Sequence, residues 1–115
     1  MSVLASHPSL AAAAPVVHKL VRWMETTEEP EGLFTEDVFT DFTLPTWRLQ
    51  AAGRAGSIAL RALGHPSPGE VTRLRYDPTP TGFVLELEEE WDVGGEHWYC
   101  REMIRADVRG DAIAE

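Results

Sequence analysis

About halfway along the chain the spacing of apolar residues changes from a period near 3.6 to a period of 2. This switch constrains the fold more than any other feature of the sequence. In the first half, Val17, Leu20, Val21 and Met24 follow the i, i+3, i+4, i+7 pattern of one buried helical stripe. In the second half, Val71 to Tyr76, Phe83 to Trp91 and His97 to Val108 alternate as successive strands. Asp77 to Gly82 and Asp92 to Glu96 join them with the Pro, Gly and Asp of hairpin loops. Helices followed by an antiparallel meander specify an α+β plan, with the helices packed on one face of the sheet.

The remaining elements follow from local signals. A helix is expected over residues 10–25, regular from Pro15, because proline is comfortable in a first turn. Glu28 to Phe34 is expected as a short second helix, capped by Thr27, with Leu33 and Phe34 turned inward. Val38-Phe39-Thr40-Asp41-Phe42-Thr43 is aromatic and β-branched and is ended by Pro45, which predicts a strand. Arg54 to Leu63 is expected as a third helix, with Ile58, Leu60 and Leu63 as its candidate buried side. Gly64 stands at its C-cap, and a Pro/Gly-rich turn follows from His65 to Gly69. The turn at Arg109-Gly110-Asp111 leads into a last strand at Ile113.

Alternation also assigns the faces of the sheet. Phe83, Leu85 and Leu87 share the inward face, which continues to Glu89 and Trp91. In the next strand Ile104, Ala106 and Val108 point inward, and Trp98, Cys100 and Glu102 with them. On the opposite face Arg73 and Arg75 neighbour Glu86 and Glu88, a pattern of cross-strand ion pairs on a solvated or dimer-forming surface.

Composition narrows the class of protein. With 115 residues, 43% hydrophobic and 25% charged, the chain reads as one globular domain over residues 10–115, preceded by a loose N-terminal arm at 1–9. Ten basic against nineteen acidic residues leave a net charge of −9, which repels phosphate backbones and anionic lipid, so neither nucleic acid nor membrane is an expected partner. Cys100 is the single cysteine and can form no internal disulfide. Together with the lack of a basic leader before Lys19, it points to a reducing cytoplasm.

In order and pattern the chain resembles the nuclear transport factor 2-like superfamily, which holds SnoaL-type polyketide cyclases and ketosteroid isomerase. The likeness is carried by Val16-Val17 through Met24, by Leu33-Phe34-Thr35-Glu36-Asp37-Val38 and by Gly53 before the third helix. It continues in Trp98-Tyr99-Cys100-Arg101 and in Arg109-Gly110-Asp111-Ala112-Ile113-Ala114-Glu115. The resemblance implies a cone of curved antiparallel sheet closed by three helices, a cavity between them, and a homodimer formed through the outer face of the sheet. The family pattern runs on through a complete final strand after Ile113, whereas this sequence stops at Glu115. Two readings stay open, an incomplete sheet edge or a shortened chain; an unpaired edge would invite association.

Three carboxylates are candidate catalytic groups. Counting back from Gly110, Glu102 falls where the resemblance to ketosteroid isomerase implies a protonated carboxylic acid that donates to a developing enolate. The alternative is an outward Glu102 paired with Arg101 or Arg105. Glu89 is either a second pocket carboxylate, its pKa pushed apart from that of Glu102, or a group at a frayed strand end in water. By the same resemblance the oxyanion tyrosine falls on Leu20, which donates nothing, and the general-base aspartate on Phe42, with Asp41 one residue away. A shift of one residue on a strand turns a side chain to the other face, which disfavours ketosteroid isomerisation itself.

Phe42, Trp47, Leu85, Trp91, Trp98, Cys100 and Leu20 are candidate walls of a cavity for a flat apolar ligand; core packing accounts for the aromatic residues equally well. The scattered histidines His7, His18, His65 and His97 show no metal-site spacing, and neither a metal nor a cofactor is expected. Two functional readings follow. The first is a SnoaL-like cavity protein for a small, largely apolar molecule, with cofactor-independent acid–base chemistry of isomerase, cyclase or hydrolase type if it is an enzyme. The second is a non-catalytic ligand-binding or protein-interaction module on the same fold.

Overall fold

A computed structural model describes residues 13–44, 46–64 and 67–115; the predicted arm at 1–9, the start of the first helix at 10–12 and the first two residues of the turn at His65 lie outside these. Pro15 opens α1 (Pro15–Thr26) behind an extended Ala14 with ψ 154°. Proline has no N–H to leave unsatisfied in a first turn, and its fixed φ is already helical. The stripe is buried as its spacing predicts, joined by Val16 and Trp23, while His18 is exposed.

The helix ends at Thr27, whose φ of 66° is left-handed and whose N–H donates to the Trp23 carbonyl at 2.8 Å. Thr27 thus closes the first helix and caps no second one. The helix expected over Glu28 to Phe34 is absent: Pro30 supplies no donor and Gly32 sits at φ +80°, so the segment turns instead. Leu33 is nevertheless buried. The backbone here pairs with the end of the chain, the Thr35 N–H donating to the Ile113 carbonyl at 2.9 Å and the Ile113 N–H to that of Leu33 at 2.8 Å.

Strands β1 (Phe39–Thr43) and β2 (Arg48–Ala52) form an antiparallel hairpin that sequence reading found only in its first half. The second strand ends in two alanines, which carry little β signal. The expected third helix is α2 (Arg54–Gly64), the second of two α-helices among the described residues. Of its expected buried side Ile58 packs against the core and Leu60 is half-buried, but Leu63 is not part of it. Ser57 is buried and Arg61 nearly so, whereas Leu63 is 79% exposed. Two residues on from Arg61, Leu63 lies about 200° further round the helix and points away from the sheet.

The main sheet runs β3 (Glu70–Pro78), β4 (Gly82–Val93), β5 (Glu96–Arg109) and β6 (Ala112–Ile113), each antiparallel to the next and in that spatial order. The β4–β5 register holds without a shift from Gly82 opposite Asp107 to Val93 opposite Glu96. At Gly82 a Cβ would fall on the Ala106 carbonyl of β5, so only glycine lets the strands meet there. Phe83, Leu85 and Leu87 from β4 pack with Val71 and Leu74 from β3 against α1, with Leu33, Val38 and Ile113 in the same core.

Candidate functional site

The inward alternation of β4 carries a carboxylate into this core. Glu89 follows Leu87 on the buried face and is 0% exposed; it is a fixed interior group and not part of a frayed strand end. Arg61, 12% exposed in its side chain, reaches from α2 and donates from Nη2 to Glu89 Oε1 at 3.1 Å. The same nitrogen lies 3.5 Å from the Met24 carbonyl, and the guanidinium stands 5.8 Å from the ring centroid of Trp23. Phe34 meets that ring edge-on at 5.1 Å and 88°. Elements α1, α2 and β4 therefore converge on one buried ion pair. Taking each ion out of water costs several kcal/mol, which mutual attraction and a cation–π contact offset.

Beside this pair the inner face opens. Opposite residues of an antiparallel ladder share a face, and Cys100 stands opposite Glu89, Glu102 opposite Leu87 and Trp98 opposite Trp91. Along β4 the inner residues are sealed as far as Glu89. Along β5, Trp98 is 47% exposed and Cys100, Glu102 and Ile104 are only half-buried. The Cys100 thiol is pushed up to about 11, first by burial, then by the charge and hydrogen bond of Glu102 and the charge of Glu89. A thiol so raised is a poor nucleophile at neutral pH.

The other predicted site residues lie elsewhere. Asp41, Phe42 and Trp47 belong to the β1–β2 region. Asp41 is held at the surface by Arg48, with Nη2 at 2.5 Å and Nε at 3.0 Å, and these bonds lower its pKa; a carboxylate so engaged is a weak base. Trp47 is 66% exposed beyond the end of β1, which removes it from any cavity wall, and Phe42 is half-buried opposite Leu49. Leu20 and Leu85 are packed in the core. The structure thus brings together Glu89, Glu102, Cys100, Trp91 and Trp98 and leaves Asp41, Phe42 and Trp47 apart. Sequence reading missed Arg61, Trp23 and the Thr40 hydroxyl bonded at 2.6 Å to that of Ser57. The available signal was Ser57 and Arg61 one turn apart, a polar stripe on the side opposite Leu63.

Past Trp91 the same end of the sheet carries an open groove of about 430 Å³, lined by Pro68, Gly69, Glu70, Glu90, Asp92 and His97. His97 lies between two carboxylates, with Nε2 2.9 Å from Glu90 and Nδ1 2.9 Å from Asp92. Among the described residues no three His, Cys, Asp or Glu side chains are placed to hold a metal ion, and no helix is long and apolar enough to cross a membrane.

Among the described residues two helices and a β-hairpin from the first half, with a four-stranded antiparallel sheet from the second, define an α+β protein. That architecture is the NTF2-like fold. The chain is similar to the crystal structure of an NTF2-like protein from Anabaena variabilis ATCC 29413, with a TM-score of 0.69 over 86% of this chain and 78% of that one, at 22% sequence identity. No protein-family model and no curated protein matches the sequence.

Proposed function

We propose that this chain binds a small, largely apolar molecule in the trough formed by Trp91, Trp98, Cys100, Glu102 and Ile104, with the Glu89–Arg61 pair at its back. One observation carries the reading: β5 leaves its inner face half open beside a β4 that is sealed. Two tryptophans offer flat apolar surface, and Glu102 offers a polar contact that can orient a ligand. SnoaL-like cavity binding is the nearest description. The non-catalytic form is favoured over an acid–base enzyme, because Glu89 is engaged by Arg61 and Asp41 by Arg48, leaving Glu102 without a second carboxylate to divide the acid and base roles. A cytoplasmic setting suits a chain whose one thiol has no second cysteine to bond.

Self-association through the outer face belongs to the same reading. Arg73, Glu88 and Arg101 lie in one cross-strand row there, and Arg75, Glu86 and Met103 in the next, so charge alternates across a surface that also exposes Tyr99 and Met103.

Nile red, a neutral apolar fluorophore, tests the trough. Saturable one-to-one binding is expected, weakened about tenfold by Trp98→Ala. Non-saturating fluorescence, or equal affinity in a folded Trp98→Ala variant, overturns the reading. If a turnover assay is ever found, loss of activity in Glu102→Gln with Nile red affinity retained would restore the enzymatic form.

A further inference from the structure

We infer that the ligand of the proposed trough is a cationic amine, in which a short alkyl tether joins an aromatic body seated on Trp98 to an ammonium group paired with Glu102. The assignment rests on the trough reading above and adds to it the charge and the length of what binds. Its ground is a carboxylate set on an apolar face with no cation to pair it.

The charge follows from what shares that face. Glu102 stands opposite Leu87 on β4, and the next same-face residues on its own strand are Cys100 and Ile104, opposite Glu89 and Leu85. None of these is a cation. Arg101 and Arg105, the nearest arginines in sequence, lie on the outer face by alternation, opposite Glu88 and Val84. Among the described residues no lysine, arginine or histidine forms an ion pair with Glu102. The hydrogen bond it shares with the Cys100 thiol brings no charge, and S–H is a weak donor. Arg61, the guanidinium at the back of the trough, is committed to Glu89 at 3.1 Å. Glu102 is half-buried, so it keeps less water than a surface carboxylate. A cation brought to it replaces that lost water with a charge-assisted hydrogen bond, about twice as strong as a neutral one. An anion would meet like charge, and a neutral body would cover the carboxylate without pairing it.

The length follows from the strand. Residues rise about 3.3 Å each along a strand. Trp98 and Glu102, with Cys100 between them on the same face, therefore have Cα atoms about 13 Å apart. A ligand that touches both carries its charge on a tether and not on its ring. Trp98 stands opposite Trp91 and is 47% exposed, so the aromatic end meets indole surface open to it, while the tether crosses Cys100. This geometry uses only the β4–β5 ladder, whose register is unbroken.

Phenylbutylamine, phenylbutanol and phenylbutyrate test this, because they share one body and tether and differ only in the head group. Each is titrated against the Nile red complex of the full chain near neutral pH in about 0.15 M sodium chloride. There a Debye length of about 8 Å screens the remote charges of a chain that carries −9. The amine is expected to displace Nile red about tenfold more tightly than the alcohol, and the butyrate less well than the alcohol. This comparison within the parent protein needs no variant. Glu102→Gln is expected to erase the gap between amine and alcohol. Asp111→Asn, which removes the same charge from an exposed turn, is expected to keep it. An alcohol that displaces as well as the amine overturns the inference and leaves the trough standing. A gap that survives Glu102→Gln, or that Asp111→Asn also erases, overturns it as well and assigns the preference to the overall charge of the chain. If neither Nile red nor the amine binds saturably, the trough reading falls and takes the inference with it.

Discussion

At the scale of single residues, the Arg61–Glu89 pair is where this sequence departs furthest from an ordinary core. Removing one partner leaves the other charge buried and uncompensated. Arg61→Ala and Glu89→Ala are each expected to destabilise by about 3–5 kcal/mol, and the double change Arg61→Met with Glu89→Leu by far less, because a hydrophobic pair of similar volume avoids the desolvation cost. Urea unfolding of the three variants measures this. A single variant as stable as the parent would show that the pair contributes nothing to the fold. Half of the arrangement is legible in the sequence: the alternation Phe83, Leu85, Leu87 fixes where Glu89 points. The partner is not, because 28 residues separate Arg61 from Glu89, and Leu63 draws the eye to the wrong side of α2. Asp41 shows the same limit, since nothing in its neighbourhood announces that Arg48 will hold it across a turn.

At the scale of elements, the β4–β5 hairpin carries a pH-dependent contact near its tip. The hydrogen bond that His97 donates to Glu90 and then the one it donates to Asp92 raise the pKa of His97 above 6.5, and His97 lowers that of Glu90 below 4.5; Glu70 lines the same groove. A raised histidine stabilises in full below its unfolded value of 6.5 and ceases to do so as pH rises through the folded value. A lowered glutamate stabilises above 4.5 and loses this as pH falls through its folded value. The contact is therefore complete between about pH 4.5 and 6.5. Proton NMR is expected to show His97 titrating above 6.5, returning to about 6.5 in Glu90→Gln with Asp92→Asn; titration at or below 6.5 in the parent contradicts the contact. This hairpin, its faces and its loop were readable because a period of 2 and a Gly-Gly turn are local signals. The expected second helix failed because Pro30 and Gly32 turn the segment, and the backbone at Leu33 and Thr35 bonds Ile113 instead, a long-range pairing that composition does not encode. Strand β2 escaped because Ala51 and Ala52 have no β preference to read.

For the whole molecule, the net charge of −9 and the charged rows of the sheet's outer face make opposite demands on assembly. Two copies brought together double that charge, and the repulsion acts over the whole surface. The proposed outer-face contact draws on close attractions, because Arg73, Glu88 and Arg101 lie in one row and Arg75, Glu86 and Met103 in the next. Salt screens exposed charges over about 10 Å at 0.1 M and about 3 Å at 1 M. An association built on such rows loosens as salt rises, because its own attractions lie among the charges that salt screens. The dimer dissociation constant is expected to rise as sodium chloride goes from about 20 to about 300 mM, by a few-fold for a change of under 1.4 kcal/mol. Sedimentation equilibrium at the two salt concentrations reads the sign directly. Loosening agrees with association through the charged face, and tightening contradicts it.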